Sequence, residues 1–133
     1  MKIVYAKPPV YDRIVKALGE PPAGAIYTYG DTIFVPSGKT PPGDLQEHER
    51  IHSDQQVLWS VNGWWDKYLK DPAWRVEQEL EAYKAQFEFV KSRTRDKAKR
   101  GWALENMARS MASPMYGSVI KYIDAWKEIG GYA

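Results

Sequence analysis

The chain has 133 residues, of which 44% are hydrophobic and 27% charged, so its length and composition fit one folded domain over residues 1–133 and exclude wholesale disorder. It contains no cysteine, which excludes disulfides and thiolate ligands, so any transition metal would have to be held by histidine and carboxylate side chains. The formal net charge of +2 is too small to indicate a nucleic-acid or membrane partner by itself.

The first third of the chain predicts a small sheet and one helix. Residues 2–6 are typical of a short strand, and residues 10–18 have the apolar spacing of a helix. Residues 25–29 and 32–35 are β-rich runs joined by Gly30-Asp31, which predicts a hairpin with a two-residue turn.

A helix is predicted over residues 44–60, after a loop rich in proline and glycine. Asp44, three residues before Glu47, is typical of a capping box at its start. Leu45, Ile51 and Leu58 are predicted to share its buried side.

Three more helices are predicted downstream. Asn62-Gly63 is expected to break the helix before it, and Trp64 and Trp65 to begin an aromatic connector. These tryptophans could form a wall of the site or fill the core, and the core is the favoured interpretation. Asp71-Pro72 indicates a helix start, and the further helices are predicted over residues 72–92, 96–111 and 117–129. The sequence therefore predicts an α+β fold in which a small N-terminal β-hairpin or sheet packs on four to five helices.

The pattern His48-Glu49-Arg50-Ile51-His52 carries the sharpest chemical signal. On a helix, residues four apart lie on one face at about 6 Å, so both imidazoles can reach one ion while Glu49 projects toward a water beside it. The alternative is a chance pattern on a solvated helix face.

A third ligand is expected from the helix over residues 72–92, because catalytic zinc usually takes three protein ligands. Glu77, Glu79, Glu81 and Glu88 are the candidates that this helix offers. Glu77 and Glu81 share a face, and Glu79 points elsewhere. For Glu77 and Glu81 the favoured interpretation is a charged face that pairs with Arg75 and Lys84.

The motif, followed by Glu79-Leu80-Glu81-Ala82-Tyr83, resembles the gluzincin branch of the zincin metallopeptidases. The resemblance implies a minimal zincin-like fold with one Zn²⁺ held by His48, His52 and Glu79 between two helices. Ala82 would be the small residue that lets the helices approach. Tyr83 stands where these families usually have an aspartate that orients a histidine. About half the chain, residues 26–86, also resembles small zincin-like proteins of tailed phages and prophages.

The resemblance implies a zinc-dependent metallopeptidase in which Glu49 is the general base and a peptide or protein is the substrate. The strand over residues 32–35 is a candidate edge for pairing with an extended substrate, with an ordinary hairpin strand as the equal alternative. Tyr116 is a candidate oxyanion donor, although a buried structural tyrosine is the favoured interpretation. The main alternative is a catalytically silent phage structural or accessory protein that keeps the fold for assembly or binding to particle proteins.

Two remaining features bear on partners and location. The basic stretch over residues 91–100 is more typical of a solvated turn than of a nucleic-acid surface, so nucleic acid is an unlikely partner. The N-terminus lacks the apolar run of a signal peptide, and no stretch approaches the roughly 20 apolar residues of a membrane span. The expected location is the cytoplasm of a host cell or a phage virion.

Overall fold

The computed structural model describes residues 1–131, which form a three-stranded sheet and six α-helices. The α+β prediction is confirmed. The elements in chain order are β1 (Lys2–Val4), α1 (Tyr11–Leu18), β2 (Tyr27–Tyr29), β3 (Thr32–Phe34), α2 (Gly43–Trp59), α3 (Val61–Lys70), α4 (Pro72–Arg93), α5 (Lys97–Ala112), a 3-10 helix (Pro114–Tyr116), α6 (Tyr122–Trp126) and a π-helical turn (Lys127–Gly131).

The sheet has the strand order β1-β3-β2, with β3 antiparallel to β2 and parallel to β1. The predicted hairpin is confirmed, and Gly30 takes the positive φ of 64° that its tight turn requires. Because β3 is the central strand, both of its edges are already paired. The expectation that residues 32–35 offer a free edge to a substrate is therefore wrong.

Helix α2 occurs where it was predicted, but the predicted buried side is wrong. Leu58 is 85% exposed, and Leu45 and Ile51 are only partly buried. The buried residues of α2 are polar: His48, Glu49, His52, Gln55 and Gln56. The side of α2 that is turned inward is therefore a polar one, and the apolar residues lie on other sides of the helix.

The predicted cap of α2 is also wrong. Pro42 is the N-cap residue, and no side chain caps the helix there. The Asp44 carboxylate instead accepts a hydrogen bond from Gln86 Nε2 at 2.9 Å, which ties the first turn of α2 to α4. Asp44 therefore contributes to the contact between two helices.

The aromatic connector predicted after residue 63 is a helix, α3. Ser60 provides the break with a positive φ of 65°, and its hydroxyl accepts a hydrogen bond from Gly63 N. Gly63 fits this close approach, because a Cβ there would lie 2.8 Å from Ser60 Oγ. Trp64 and Trp65 of α3 are buried, which confirms that they contribute to the core.

The bounds of α4 and α5 agree with those predicted from the sequence to within one residue. Asp71 accepts from Trp74 N at the start of α4, and Asp96 accepts from two backbone N–H groups at the start of α5. The helix predicted over residues 117–129 is shorter, because Gly117 and Ser118 have positive φ and keep the chain out of helix until α6.

Two apolar clusters flank the contact between α2 and α4. One contains Tyr83, Met111 and neighbours from α4, α5 and α6. The other contains Ile14, Tyr27 and Trp64 from α1, β2 and α3. Among residues 1–131, no helix combines the length and apolar character needed to cross a bilayer.

Candidate metal centre and its cavity

The structure brings His48 and His52 of α2 together with Glu79 of α4. His48 Nε2 and His52 Nε2 each lie 3.0 Å from Glu79 Oε1, and the two nitrogens are 3.2 Å apart. Each side chain is at most 4% exposed as a residue, so the group lies inside the fold. This group can hold a metal ion, and it lies between two helices as the sequence predicted.

The outer nitrogen of each imidazole is held by a glutamine. His48 Nδ1 lies 3.0 Å from Gln86 Oε1, and His52 Nδ1 lies 2.8 Å from Gln55 Oε1. The nitrogen of each amide is engaged elsewhere, since Gln86 Nε2 donates to Asp44 and Gln55 Nε2 donates to the Gln78 carbonyl. The amide oxygen is therefore the atom that faces the imidazole.

Because each amide presents its oxygen, each Nδ1 must carry the hydrogen and donate it. A neutral imidazole protonated at Nδ1 keeps its lone pair on Nε2, the atom that faces the cluster. The glutamines therefore fix both histidines in the ring orientation and tautomer that a metal requires.

The carboxylate of Glu79 is oriented in the same way. Tyr68 of α3 donates its hydroxyl hydrogen to Glu79 Oε2 at 2.5 Å, which leaves Oε1 facing the two imidazoles. Burial next to this carboxylate raises the pKa of Tyr68 well above its ordinary value, so the phenol stays a donor.

The charges of the cluster depend on one another. Burial alone would raise the pKa of Glu79, but the neighbouring imidazoles lower it well below its usual range. Burial alone would lower the pKa of His52, but the Glu79 carboxylate raises it to about 9. The pocket therefore favours a negative carboxylate with positive charge beside it, which a proton or a metal ion can supply.

The donor atoms also have the spacing of a metal site. An ion bound tetrahedrally at about 2.0–2.1 Å places its ligand atoms about 3.3 Å apart, close to the separations of 3.0, 3.0 and 3.2 Å here. Three electron pairs at this distance repel one another unless a proton or a metal ion lies among them. Two imidazoles and a carboxylate are a donor set that divalent transition ions accept.

Glu49 lies next to this group. Its Oε2 is 3.7 Å from His48 Nε2, and its Oε1 accepts a hydrogen bond from Thr28 Oγ1 of β2 at 3.2 Å. Burial raises the pKa of Glu49, against the opposing effect of the two histidines. A carboxyl group of this kind can take up and release a proton closer to neutral pH than an exposed glutamate does.

The cluster and Glu49 line a cavity of about 380 Å³. Trp64, Trp65 and Tyr68 of α3 form one wall, and the Trp64 ring lies 5.2 Å from that of His52. Strand β2, the loop before it, α1 and the segment with the 3-10 helix form the rest. The volume is typical of a site for a small molecule or a short segment of chain.

Comparison with family models, curated proteins and solved structures gives no match for this chain. What the site can do therefore follows from its own side chains.

The other glutamates of α4 lie away from the cluster. Glu77 and Glu81 are exposed, and Glu88 pairs with Lys91 at 2.7 Å. The expected pairing of Glu77 and Glu81 with Arg75 and Lys84 is wrong, because those two cations have other partners. Buried Arg75 donates to the Tyr68, Leu69 and Tyr116 carbonyls, and Lys84 pairs with Glu128.

Tyr83 does not take the orienting role that its position in the motif implies. Its ring packs against the edge of the His48 ring at 4.4 Å, while its hydroxyl lies 2.9 Å from that of Tyr116. Gln86, one helical turn further on, holds His48 instead. Tyr116 lines the cavity, and its role as an oxyanion donor stays a prediction.

Sequence reasoning missed the residues that orient the ligands. Gln55 lies one helical turn after His52 on α2, Gln86 lies two turns after Glu79 on α4, and Tyr68 lies on the unpredicted helix α3. The glutamines could have been found from their spacing, since Gln55 follows His52 by three residues and Gln86 follows Glu79 by seven. Nothing in the sequence near Tyr68 indicated its contact with Glu79.

Proposed function

We propose that this chain is a zinc-dependent peptidase in which His48, His52 and Glu79 hold one Zn²⁺ and Glu49 is the general base. The observation that carries the proposal is the convergence of three oriented donor atoms beside a buried carboxylate at one cavity. The resemblance of the motif to gluzincins supports the same function, since two histidines and one glutamate are a ligand set of catalytic zinc. When bound, zinc supplies a Lewis acid that polarises a carbonyl and makes water a nucleophile near neutral pH.

Glu49 would move the proton. Thr28 holds its Oε1, so Oε2 is the atom directed toward the cluster and the cavity. Burial raises the pKa of this carboxyl, so it can accept a proton from the attacking water and return it to the leaving amine. The same buried position keeps bulk water from competing for that proton.

The test is Glu49→Gln, which keeps the size of the side chain and removes its basicity. We expect peptide hydrolysis to fall by about 10²- to 10⁴-fold while one zinc ion per chain is retained. Cleavage of a defined peptide mixture is followed by mass spectrometry, and zinc content is measured in the same preparations. Glu47→Gln is the matched control, because Glu47 lies on the same helix and pairs with Arg50 outside the cavity.

Peptide hydrolysis by the Glu49→Gln variant at the wild-type rate would contradict the assignment of Glu49 as the general base. A zinc-loaded wild-type chain that cleaves none of the peptides would favour the alternative, a phage structural or accessory protein that uses the metal for stability alone.

A further inference from the structure

Arg75 of α4 is a buried cation that the proposed chemistry leaves without a role. It is 4% exposed, and within residues 1–131 it donates three hydrogen bonds, all of them to backbone carbonyls. Burying a guanidinium is unfavourable, so packing alone would favour an apolar side chain at this position. What arginine adds is a planar group with several N–H donors, which can bind several acceptors at once in a fixed geometry.

Two of the three carbonyls belong to the end of α3. The Tyr68 carbonyl accepts from Arg75 Nε at 2.8 Å, and the Leu69 carbonyl accepts from Nη2 at 3.3 Å. Both residues lie in the last turn of α3, which ends at Lys70, and carbonyls in the last turn of a helix have no partner within it. Arg75 therefore satisfies the end of α3 and fixes it against α4.

Tyr68 is also held through its side chain. The guanidinium carbon of Arg75 lies 5.5 Å from the centre of the Tyr68 ring, and the hydroxyl at the other end of that ring donates to Glu79 Oε2 at 2.5 Å. Arg75 and Glu79 are four residues apart and lie on the same face of α4. Tyr68 is thus held between two residues of one helix.

The third carbonyl belongs to the 3-10 helix that lines the cavity. The Tyr116 carbonyl accepts from Arg75 Nη1 at 3.2 Å. Gly117, the next residue, fits this contact, because its φ is 89° and a Cβ there would lie 2.9 Å from Arg75 Nη1. One side chain therefore connects both α3 and the 3-10 helix to α4, the helix that carries Glu79.

We propose that Arg75 is a positioning residue of the metal centre, which acts through Tyr68 to orient the Glu79 carboxylate. Without the guanidinium, the end of α3 loses its contact with α4, and the Tyr68 hydroxyl no longer has a fixed position at Glu79 Oε2. The carboxylate then loses its fixed orientation toward the two imidazoles, and the affinity for the ion falls. The inference rests on the proposed metal centre, but the contact between Tyr68 and Glu79 can be measured in the metal-free chain.

The experiment replaces Arg75 by lysine. Arg75→Lys keeps the positive charge and removes the planar group, because an ammonium on a flexible stem cannot bind three separated carbonyls in one geometry. In the metal-free full chain, the hydroxyl proton of Tyr68 is observed by proton NMR and assigned by its absence in Tyr68→Phe. We expect this signal to be lost or broadened in Arg75→Lys, because the proton exchanges faster with water. Zinc affinity, measured by competition with a chromophoric chelator, should fall about three- to tenfold.

A double-mutant cycle separates positioning from a general loss of stability. In the Tyr68→Phe background, where the hydroxyl is already absent, Arg75→Lys should change zinc affinity by less than about twofold. Arg100→Lys is the matched control, because Arg100 donates to the Thr94 and Lys91 carbonyls at the end of α4, away from the cavity. That control should lower the melting temperature and leave zinc affinity at the wild-type value.

Arg75→Met, which keeps a long side chain but has no donor, replaces Arg75→Lys if the lysine variant does not fold. The proposal would be overturned by a wild-type chain without the Tyr68 hydroxyl signal, or by an unchanged signal in the Arg75 variant. A loss of zinc affinity that is equally large in the Tyr68→Phe background would also overturn it. A wild-type chain that binds no zinc, with the signal lost in the Arg75 variant, would overturn the proposed function alone.

Discussion

Each of the three side chains proposed as ligands, His48, His52 and Glu79, is held through the atom that does not face the cluster. Gln86 and Gln55 accept from the Nδ1 atoms, and Tyr68 donates to the outer oxygen of Glu79. These contacts orient the donors before any ion arrives, so binding does not have to order them. The affinity for metal should therefore depend on residues that never touch it.

Tyr68→Phe tests this dependence. Removing one hydroxyl leaves the ring in place but frees Glu79 Oε2, so the carboxylate loses its fixed orientation. We expect zinc affinity to fall by about 10- to 100-fold, measured by competition with a chromophoric chelator. Tyr122→Phe, at an exposed position on α6, serves as the control. An unchanged zinc affinity in Tyr68→Phe would show that the hydroxyl does not position the ligand.

At the scale of elements, the helical spacing of the two histidines was sufficient to predict their convergence, because both lie on α2. The choice of Glu79 among its neighbours came from the resemblance, since the residues alone did not fix how α4 is rotated against α2. The buried side of α2 was not predicted because its residues are polar. Hydrophobic periodicity identifies only those helix faces that are buried through apolar side chains. Helix α3 was not predicted because Asn62-Gly63 is typical of the end of a helix.

Gln56 joins the sheet to α2 and offers a test at this scale. It is 1% exposed, accepts from Gly30 N and donates to the Thr28 carbonyl, so it pairs with the backbone of β2 and of the hairpin turn. Gln56→Ala would leave two backbone groups without this partner and open a void. We expect a loss of about 2–4 kcal/mol in the free energy of unfolding, measured by urea denaturation.

Val57→Ala is the control for that measurement. Val57 follows Gln56 directly and is 82% exposed, so its truncation should change stability by no more than about 0.5 kcal/mol. Equal effects of the two substitutions would mean that Gln56 does not hold the strand to the helix.

Over the whole molecule, the ligand group lies between the two apolar clusters. The His48 ring packs on Tyr83 of one cluster, and the His52 ring packs on Trp64 of the other. A bound ion would therefore connect the two halves of the core. Removal of the ion should therefore lower the free energy of unfolding of the whole chain.

A chelator should lower the melting temperature of the zinc-loaded chain, and more so at alkaline pH. The pKa of His52 is raised to about 9, so a proton stabilises the metal-free fold fully below pH ~6.5 and is lost as the pH rises toward 9. We expect a decrease of about 10 °C at pH 9 and a smaller one at pH 6.5 in differential scanning calorimetry. Glu79→Gln should show little chelator effect at either pH. A larger decrease at pH 6.5 than at pH 9 would contradict the role of this proton.

The most direct measurement is the zinc content of the purified, zinc-treated chain by elemental analysis, comparing wild type with Glu79→Gln and Glu77→Gln. Glu77 is the matched control, because it lies two residues earlier on α4 and is exposed. We predict one zinc ion per chain in wild type and in Glu77→Gln, and a large loss in Glu79→Gln. Substoichiometric zinc in wild type, or equal zinc in the two variants, would contradict a metal centre formed by His48, His52 and Glu79.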